Sequence, residues 1–129
     1  MNNKKILIVD NNTDILNMVR LGIKVYYPEA HVELANNGLA ALCQLQKKED
    51  TPAFDIILTD YEMPIINGLA LAQTIRSALP DTRLILMTAY PIFDKQQRQA
   101  IALNFDDFIE KPFTITQLMN VLQPEALPC

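Results

Sequence analysis

Glycine is scarce in this chain, with three among 129 residues. None stands in the turn after the opening apolar run, which reads Asp10-Asn11-Asn12-Thr13. A dinucleotide or P-loop site needs glycine there so that backbone amides can approach phosphate, and that class is excluded. The single histidine, His31, and the lack of a Gly-x-Ser-x-Gly turn argue against a hydrolase triad. Two cysteines support neither a disulfide framework nor a metal–thiolate site. Cys43 falls in an apolar helical pattern and is expected in the core; Cys129 is expected to be a free thiol. Basic clusters are missing too. The net charge is −4 and lysines pair only at Lys4-Lys5 and Lys47-Lys48, which argues against nucleic-acid binding by this chain. No segment reaches the length of a membrane span, and the apolar run at residues 6–9 is too short for a signal peptide. A cytoplasmic protein with no membrane contact is expected.

Half the residues are hydrophobic and a fifth are charged, which suits one globular domain with a single core. The chain is organised around residues 54–64, Phe-Asp-Ile-Ile-Leu-Thr-Asp-Tyr-Glu-Met-Pro. Ile56-Ile57-Leu58 is too short for a helix and does not alternate, so it reads as a strand buried on both faces. Asp60 then stands at the strand's carboxyl end, the edge of an α/β sheet where ligands bind. Ile6-Leu7-Ile8-Val9 and Leu84-Ile85-Leu86-Met87 read the same way, and Phe108-Ile109 as a shorter strand. Residues 31–35 alternate, as in a half-exposed edge strand.

Between the strands apolar residues recur at helical spacing. Ile15, Met18, Val19, Gly22 and Ile23 mark the first helix, capped by Asn11, Asn12 or Thr13, with Leu16, Leu21 and Val25 widening its apolar face. Leu39, Leu42, Cys43 and Leu45 mark the second after a turn at Asn36-Asn37-Gly38. Leu71, Ile75, Ala78 and Leu79 mark the third after a turn at Asn67-Gly68. The fourth, near residues 92–103 with Pro91 in its first turn, is mostly polar and expected to dock weakly and be mobile. In the fifth, Thr114 and Gln117 form a capping box. Five βα units imply a doubly wound parallel sheet with helices on both faces. The domain is expected to span residues 1–123, with 124–129 a tail or the start of a linker.

The strand ends carry the chemistry. The first ends in Asp10, Asn11 and Asn12, the third in Asp60 and the fourth in Thr88, while Lys111 follows the fifth. In a parallel sheet these groups converge on one edge. Two carboxylates and an amide oxygen suit Mg²⁺, which keeps several waters. A hydroxyl and an ammonium suit an anion. The set describes phosphoryl transfer to a carboxylate.

These residues resemble the receiver domain of two-component response regulators along essentially the whole chain. The resemblance lies in the acidic turn after Ile8-Val9, the segment from Asp60 to Pro64 with Asn67-Gly68, Thr88-Ala89, and Lys111-Pro112-Phe113. It implies a CheY-like, flavodoxin-like (βα)5 fold with strand order 2-1-3-4-5. It implies that Asp60 accepts a phosphoryl group from a sensor histidine kinase or phosphotransfer protein, and that the chain is not a conventional enzyme. Asp10, Asp60, position 11 and the backbone carbonyl of Glu62 would hold Mg²⁺, and Thr88 and Lys111 would engage the phosphate. Phe108 matches the switch aromatic, and a cis Lys111-Pro112 bond is implied. The fourth helix, fifth strand and fifth helix would form the output face toward a downstream effector, and a homodimer through that face is compatible.

Three departures qualify this. Asn11 stands where most receivers carry a metal-binding acid, which lowers the expected Mg²⁺ affinity and opens a second reading: a pseudo-receiver that binds partners without phosphorylation. Glu62 and Tyr90 occupy positions that tune phosphate lifetime, in a direction left open. Asn104-Phe105-Asp106-Asp107 stands where small residues usually precede the switch aromatic. A third class, a small phosphohydrolase, finds a second acid at Glu62 but no cap or lid insertion to select a substrate.

Overall fold

The computed structural model describes residues 2–46, 54–89 and 93–123. Five strands and five helices alternate along it: β1 (Lys5–Val9), α1 (Thr13–Tyr26), β2 (His31–Ala35), α2 (Gly38–Gln46), β3 (Ile56–Asp60), α3 (Gly68–Ala78), β4 (Arg83–Thr88), α4 (Lys95–Asn104), β5 (Asp107–Glu110) and α5 (Ile115–Leu122). The strands form one parallel sheet, as the βα pattern predicts, in the order β2-β1-β3-β4-β5 that the family resemblance implies.

Strand alternation divides the core into two layers. Ile6, Ile8, Leu58, Ile85, Met87 and Ile109 face α1 and α5, where Leu16, Val19, Ile23, Leu118 and Leu122 meet them. Leu7, Val9, Ile57, Leu84 and Leu86 face the other helices, against Ala41, Leu71, Ala72 and Ile75. Both faces are covered, which is why these strands are continuous apolar runs.

Several helix assignments change. In α1 the buried stripe is Leu16, Val19 and Ile23; Leu21 and Val25 are exposed, Val25 at 74%. At about 100° per residue, positions 18, 21 and 25 lie nearly half a turn away from that stripe. Cys43 is exposed for the same reason, since α2 buries Gly38 and Ala41 instead. Neither Asn-Gly segment is a free turn. Asn67 Oδ1 accepts from Ala70 N at 2.8 Å and caps α3, while Asn37 Oδ1 accepts from Ala40 N at 2.7 Å and caps α2. Helix α4 begins at Lys95, where Asp94 and Gln97 close a capping box, and the expectation at residue 92 lies outside the described residues. None of its residues is buried, in keeping with weak docking. The capping box of Thr114 and Gln117 on α5 is present. The expectations at Lys47, Lys48, Pro91 and Cys129 lie outside the described residues. No helix of the described residues is long and apolar enough to cross a membrane.

Candidate functional site

Two aspartates leave the sheet at neighbouring strand ends. Asp10 follows β1 and extends its ladder by one bond, its N–H donating to Ala35 O at 3.1 Å. Its Oδ1 accepts from Asn12 N at 2.9 Å, which turns the chain into α1. Asn12 then caps that helix, its Oδ1 accepting from Asp14 N at 2.9 Å. One side chain thus closes the turn and the next starts the helix, leaving Asn11 exposed between them.

Asp60 ends β3, paired with Met87 of β4. Its Oδ1 accepts from Tyr61 N at 2.9 Å. Tyr61 O accepts from Gly68 N at 2.7 Å, so the loop after the strand closes on its own start. The closure leaves no space for a side chain at Gly68. A Cβ there would stand 2.3 Å from Asp60 O and 2.9 Å from Tyr61 Cα. Within the loop Ile65 has φ 72° and is almost fully exposed, and Ile66 N donates to Pro64 O at 2.8 Å. This is the rarer γ-turn form, strained for a β-branched residue, and it is held by the loop around it.

Lys111 joins the two carboxylates. Its Nζ donates to Asp10 Oδ2 at 2.6 Å and stands 3.3 Å from Asp60 Oδ1. Its backbone N–H donates to Thr88 O at 2.7 Å, which ties it to the end of β4. The Lys111-Pro112 bond is cis. The Asp10 side chain is 0% exposed and both its oxygens are engaged; the Asp60 side chain is 11% exposed. Among the described residues no hydrogen bond reaches Asp60 Oδ2. Burial pushes the Asp60 carboxyl above its ordinary range, the Asp10 charge adds to that, and Lys111 and the Tyr61 N–H oppose it. One ammonium between two carboxylates leaves a formal deficit of one positive charge, so the site favours a further cation.

Asp60, Glu62, Thr88 and Lys111 line one cavity of about 260 Å³. Asp10 lies behind Lys111. Phe108 is elsewhere: it is 51% exposed and lines a separate groove of about 480 Å³ between α4 and β5. Tyr90 is outside the described residues. Tyr61, Phe93 and Gln97 also line the site cavity and carried no site signal in the sequence.

The donors fit a hard cation that retains water. The carboxylates that the structure brings together there are those of Asp10 and Asp60, both within reach of Lys111 Nζ. Among the described residues no group of three or more His, Cys, Asp or Glu is assembled, so there is no complete protein cage.

Comparison with known proteins places the chain. A family profile described as "Response regulator receiver domain" matches residues 6–123. Regulatory protein AtoC of Escherichia coli is 30% identical over 119 residues, covering 92% of this chain and 24% of that protein. Virulence sensor protein BvgS of Bordetella bronchiseptica is 34% identical over 129 residues, covering 95% of this chain and 10% of that protein. The chain thus spans a quarter or less of these two relatives. Among solved structures, chemotaxis response regulator CheY4 of Vibrio cholerae superposes with a TM-score of 0.79 at 27% identity, covering 94% of this chain and 97% of that one. A CheY-like receiver domain protein from Methanospirillum hungatei gives a TM-score of 0.81 at 23% identity over 95% and 92% of the two chains, a likeness of fold. Matched from its first strand to its last helix, the chain belongs to the response regulator receiver domains of two-component systems.

Proposed function

We propose that Asp60 is a phosphoacceptor and that the domain, residues 1–123, switches an output face when it is loaded. The observation that supports this best is the state of the Asp60 carboxylate. Oδ1 is held by Tyr61 N–H and Lys111, and among the described residues no donor reaches Oδ2, at a cavity open to a substrate. In this reading Oδ2 attacks the phosphorus of a phosphohistidine on a sensor kinase or phosphotransfer protein. The new P–O bond forms as the P–N bond breaks, and the imidazole nitrogen leaves with the electron pair.

The surrounding residues divide the work. Lys111 offsets negative charge on the acceptor and on the transferred oxygens, and Thr88 donates its hydroxyl to the phosphoryl group. Receiver domains bind Mg²⁺ at their acidic site; here Asp10, Asp60, the Asn11 amide and the Glu62 carbonyl would hold it. When bound, the ion neutralises charge on the phosphoryl oxygens. Glu62, exposed on the cavity wall, and Tyr90 tune the lifetime of the product. Phe108 would turn inward as Thr88 engages the phosphate, changing the face formed by α4, β5 and α5. That face would meet an effector or a second copy of the chain. Residues 124–129 would lead away as a tail or linker, and the expected setting is the cytoplasm.

The exposed amide of Asn11 favours a second reading, a pseudo-receiver that binds partners without phosphate chemistry. Incubation with Mg²⁺ and acetyl phosphate, then with a phosphorylated cognate kinase, separates the two by intact mass. A gain of one phosphoryl group that is absent in Asp60→Asn supports the acceptor. No gain from either donor at any Mg²⁺ concentration leaves the pseudo-receiver.

A further inference from the structure

Helix α4 fully buries none of its own residues, and Ile101 packs only partly buried against the core, so contacts from neighbouring segments matter for its docking. The two ends are held differently. At the C-terminal end Arg76 of α3 acts as a clamp. Its Nη2 donates to Asn104 O at 3.0 Å and to Asp106 Oδ2 at 2.9 Å. Its Nη1 donates to Pro80 O and Thr82 O, which fixes the guanidinium itself. Asp106 Oδ2 also accepts from Leu84 N at 2.8 Å, and Phe105 is buried beside it. Arginine in a planar, multiply bonded setting of this kind is a rigid anchor.

Among the described residues the N-terminal end shows no clamp of this kind. Phe93, just ahead of the Asp94 cap, packs on Tyr61 with ring centroids 4.9 Å apart and planes tilted by 53°. Tyr61 is the residue whose N–H holds Asp60 Oδ1. Phe93 also lines both the site cavity and the groove under α4, and no other described residue is shared between their walls. An aromatic pair of this geometry is a modest, non-directional contact. A small displacement of Tyr61 is enough to weaken it, whereas the clamp at Arg76 must lose several hydrogen bonds together.

We propose that α4 is a lever hinged at Arg76 and latched at its N-terminal end by Phe93 on Tyr61, making Phe93 a positioning residue that reports the state of Asp60. The proposal deepens the phosphoacceptor reading and rests on it for its trigger alone. Loading Asp60 alters what Oδ1 offers to the Tyr61 N–H, Tyr61 shifts, and the first turns of α4 swing out while the last turn stays. This route to the output face runs through the residue after the acceptor.

Hydrogen–deuterium exchange over residues 95–104, with the intact mass of each sample, tests it. In the unphosphorylated protein Phe93→Ala raises exchange in the first turns of α4 about three- to tenfold and leaves the last turn unchanged, given the strength of such aromatic pairs. Phe93→Tyr retains wild-type protection, Tyr61→Leu matches Phe93→Ala, and the double variant adds nothing further. Arg76→Met loosens the last turn instead. Loading wild type with phosphate raises first-turn exchange, and loading Phe93→Ala raises it no more. Unchanged or uniform exchange in Phe93→Ala, or additive effects of Tyr61 and Phe93, overturns the latch. A wild-type sample that gains no phosphoryl mass overturns the acceptor reading and the trigger, while the unphosphorylated comparison still decides the latch.

Discussion

Replacing Gly68 by alanine sets two opposite effects against each other. Gly68 has no positive φ and opens α3, so alanine suits its backbone. In open space Gly→Ala there stabilises by about 0.4–1 kcal/mol, through a less flexible unfolded chain. The new Cβ, however, stands 2.3 Å from Asp60 O, with Tyr61 Cα at 2.9 Å and Asp60 C at 3.1 Å. The atoms it meets are backbone, so no side chain can swing aside. Overpacking of this kind costs about 1–3 kcal/mol. Relief by moving the helix strains the Gly68 N–H to Tyr61 O bond, worth about 1 kcal/mol. The clash wins, and Gly68→Ala destabilises by about 2 kcal/mol net. With a urea m-value of about 2 kcal/mol/M for a domain of this size, the midpoint falls by about 1 M. Gly22→Ala is the control. Its nearest atom, Ile115 Cδ1 at 2.4 Å, is the far end of a flexible side chain, and a rotamer change costs about 1 kcal/mol. Gly38→Ala falls between, facing Ile66 Cβ at 3.0 Å and Ile66 O at 3.1 Å. Urea titrations of the three variants give the order directly. A Gly68→Ala protein as stable as wild type, or more stable than Gly22→Ala, refutes the reasoning.

Three further outcomes follow from the charges at the site. Lys111→Met leaves two poorly exposed carboxylates without their cation and costs about 3 kcal/mol at neutral pH; the loss shrinks on acidification because Asp60 then holds its proton, and a pH-independent loss in urea titrations contradicts the ion pairing. Because the Asp60 carboxyl is raised by folding, the native state binds the proton more tightly than the unfolded chain, and metal-free stability falls as pH rises from the ordinary carboxylate range through the raised value. Asp60→Asn removes that fall, so in chelator it is more stable than wild type at pH 7 and the gap closes near pH 4; thermal melts that show the gap widening on acidification reverse the sign of the argument. Asn11→Asp adds a formal charge among the metal donors and tightens Mg²⁺ by about tenfold in a fluorescence or calorimetric titration; an unchanged affinity puts position 11 outside the metal's ligands.

The strands were readable because a parallel sheet buried on both faces leaves an unbroken apolar signature. Their ends were readable because Asp60 and Thr88 interrupt that signature abruptly. The one-sided burial of α1 was not, since Leu21 and Val25 are as apolar as Leu16 and Ile23 and only the sheet's position selects the stripe. Asn-Gly was ambiguous for a different reason: asparagine closes turns and caps helices with the same side-chain oxygen. What makes Gly68 costly to replace, the carbonyl of Asp60 pressed against it, is a contact in space and leaves no local trace. The same holds for the Arg76 clamp and for the sharing of Lys111 between Asp10 and Asp60.

The bond between Lys111 Nζ and Asp10 Oδ2 joins residues 101 positions apart in the chain. During synthesis β1, β3 and β4 can all emerge, and the two aspartates with them, before the residue that neutralises them leaves the ribosome. Until then the carboxylates face each other without a cation, which disfavours their close approach. A nascent or truncated chain ending before position 111 therefore lacks the cation of this ion-paired cluster even if its first four strands have paired. The cluster is completed only when the first strand and the segment after the last strand have found each other.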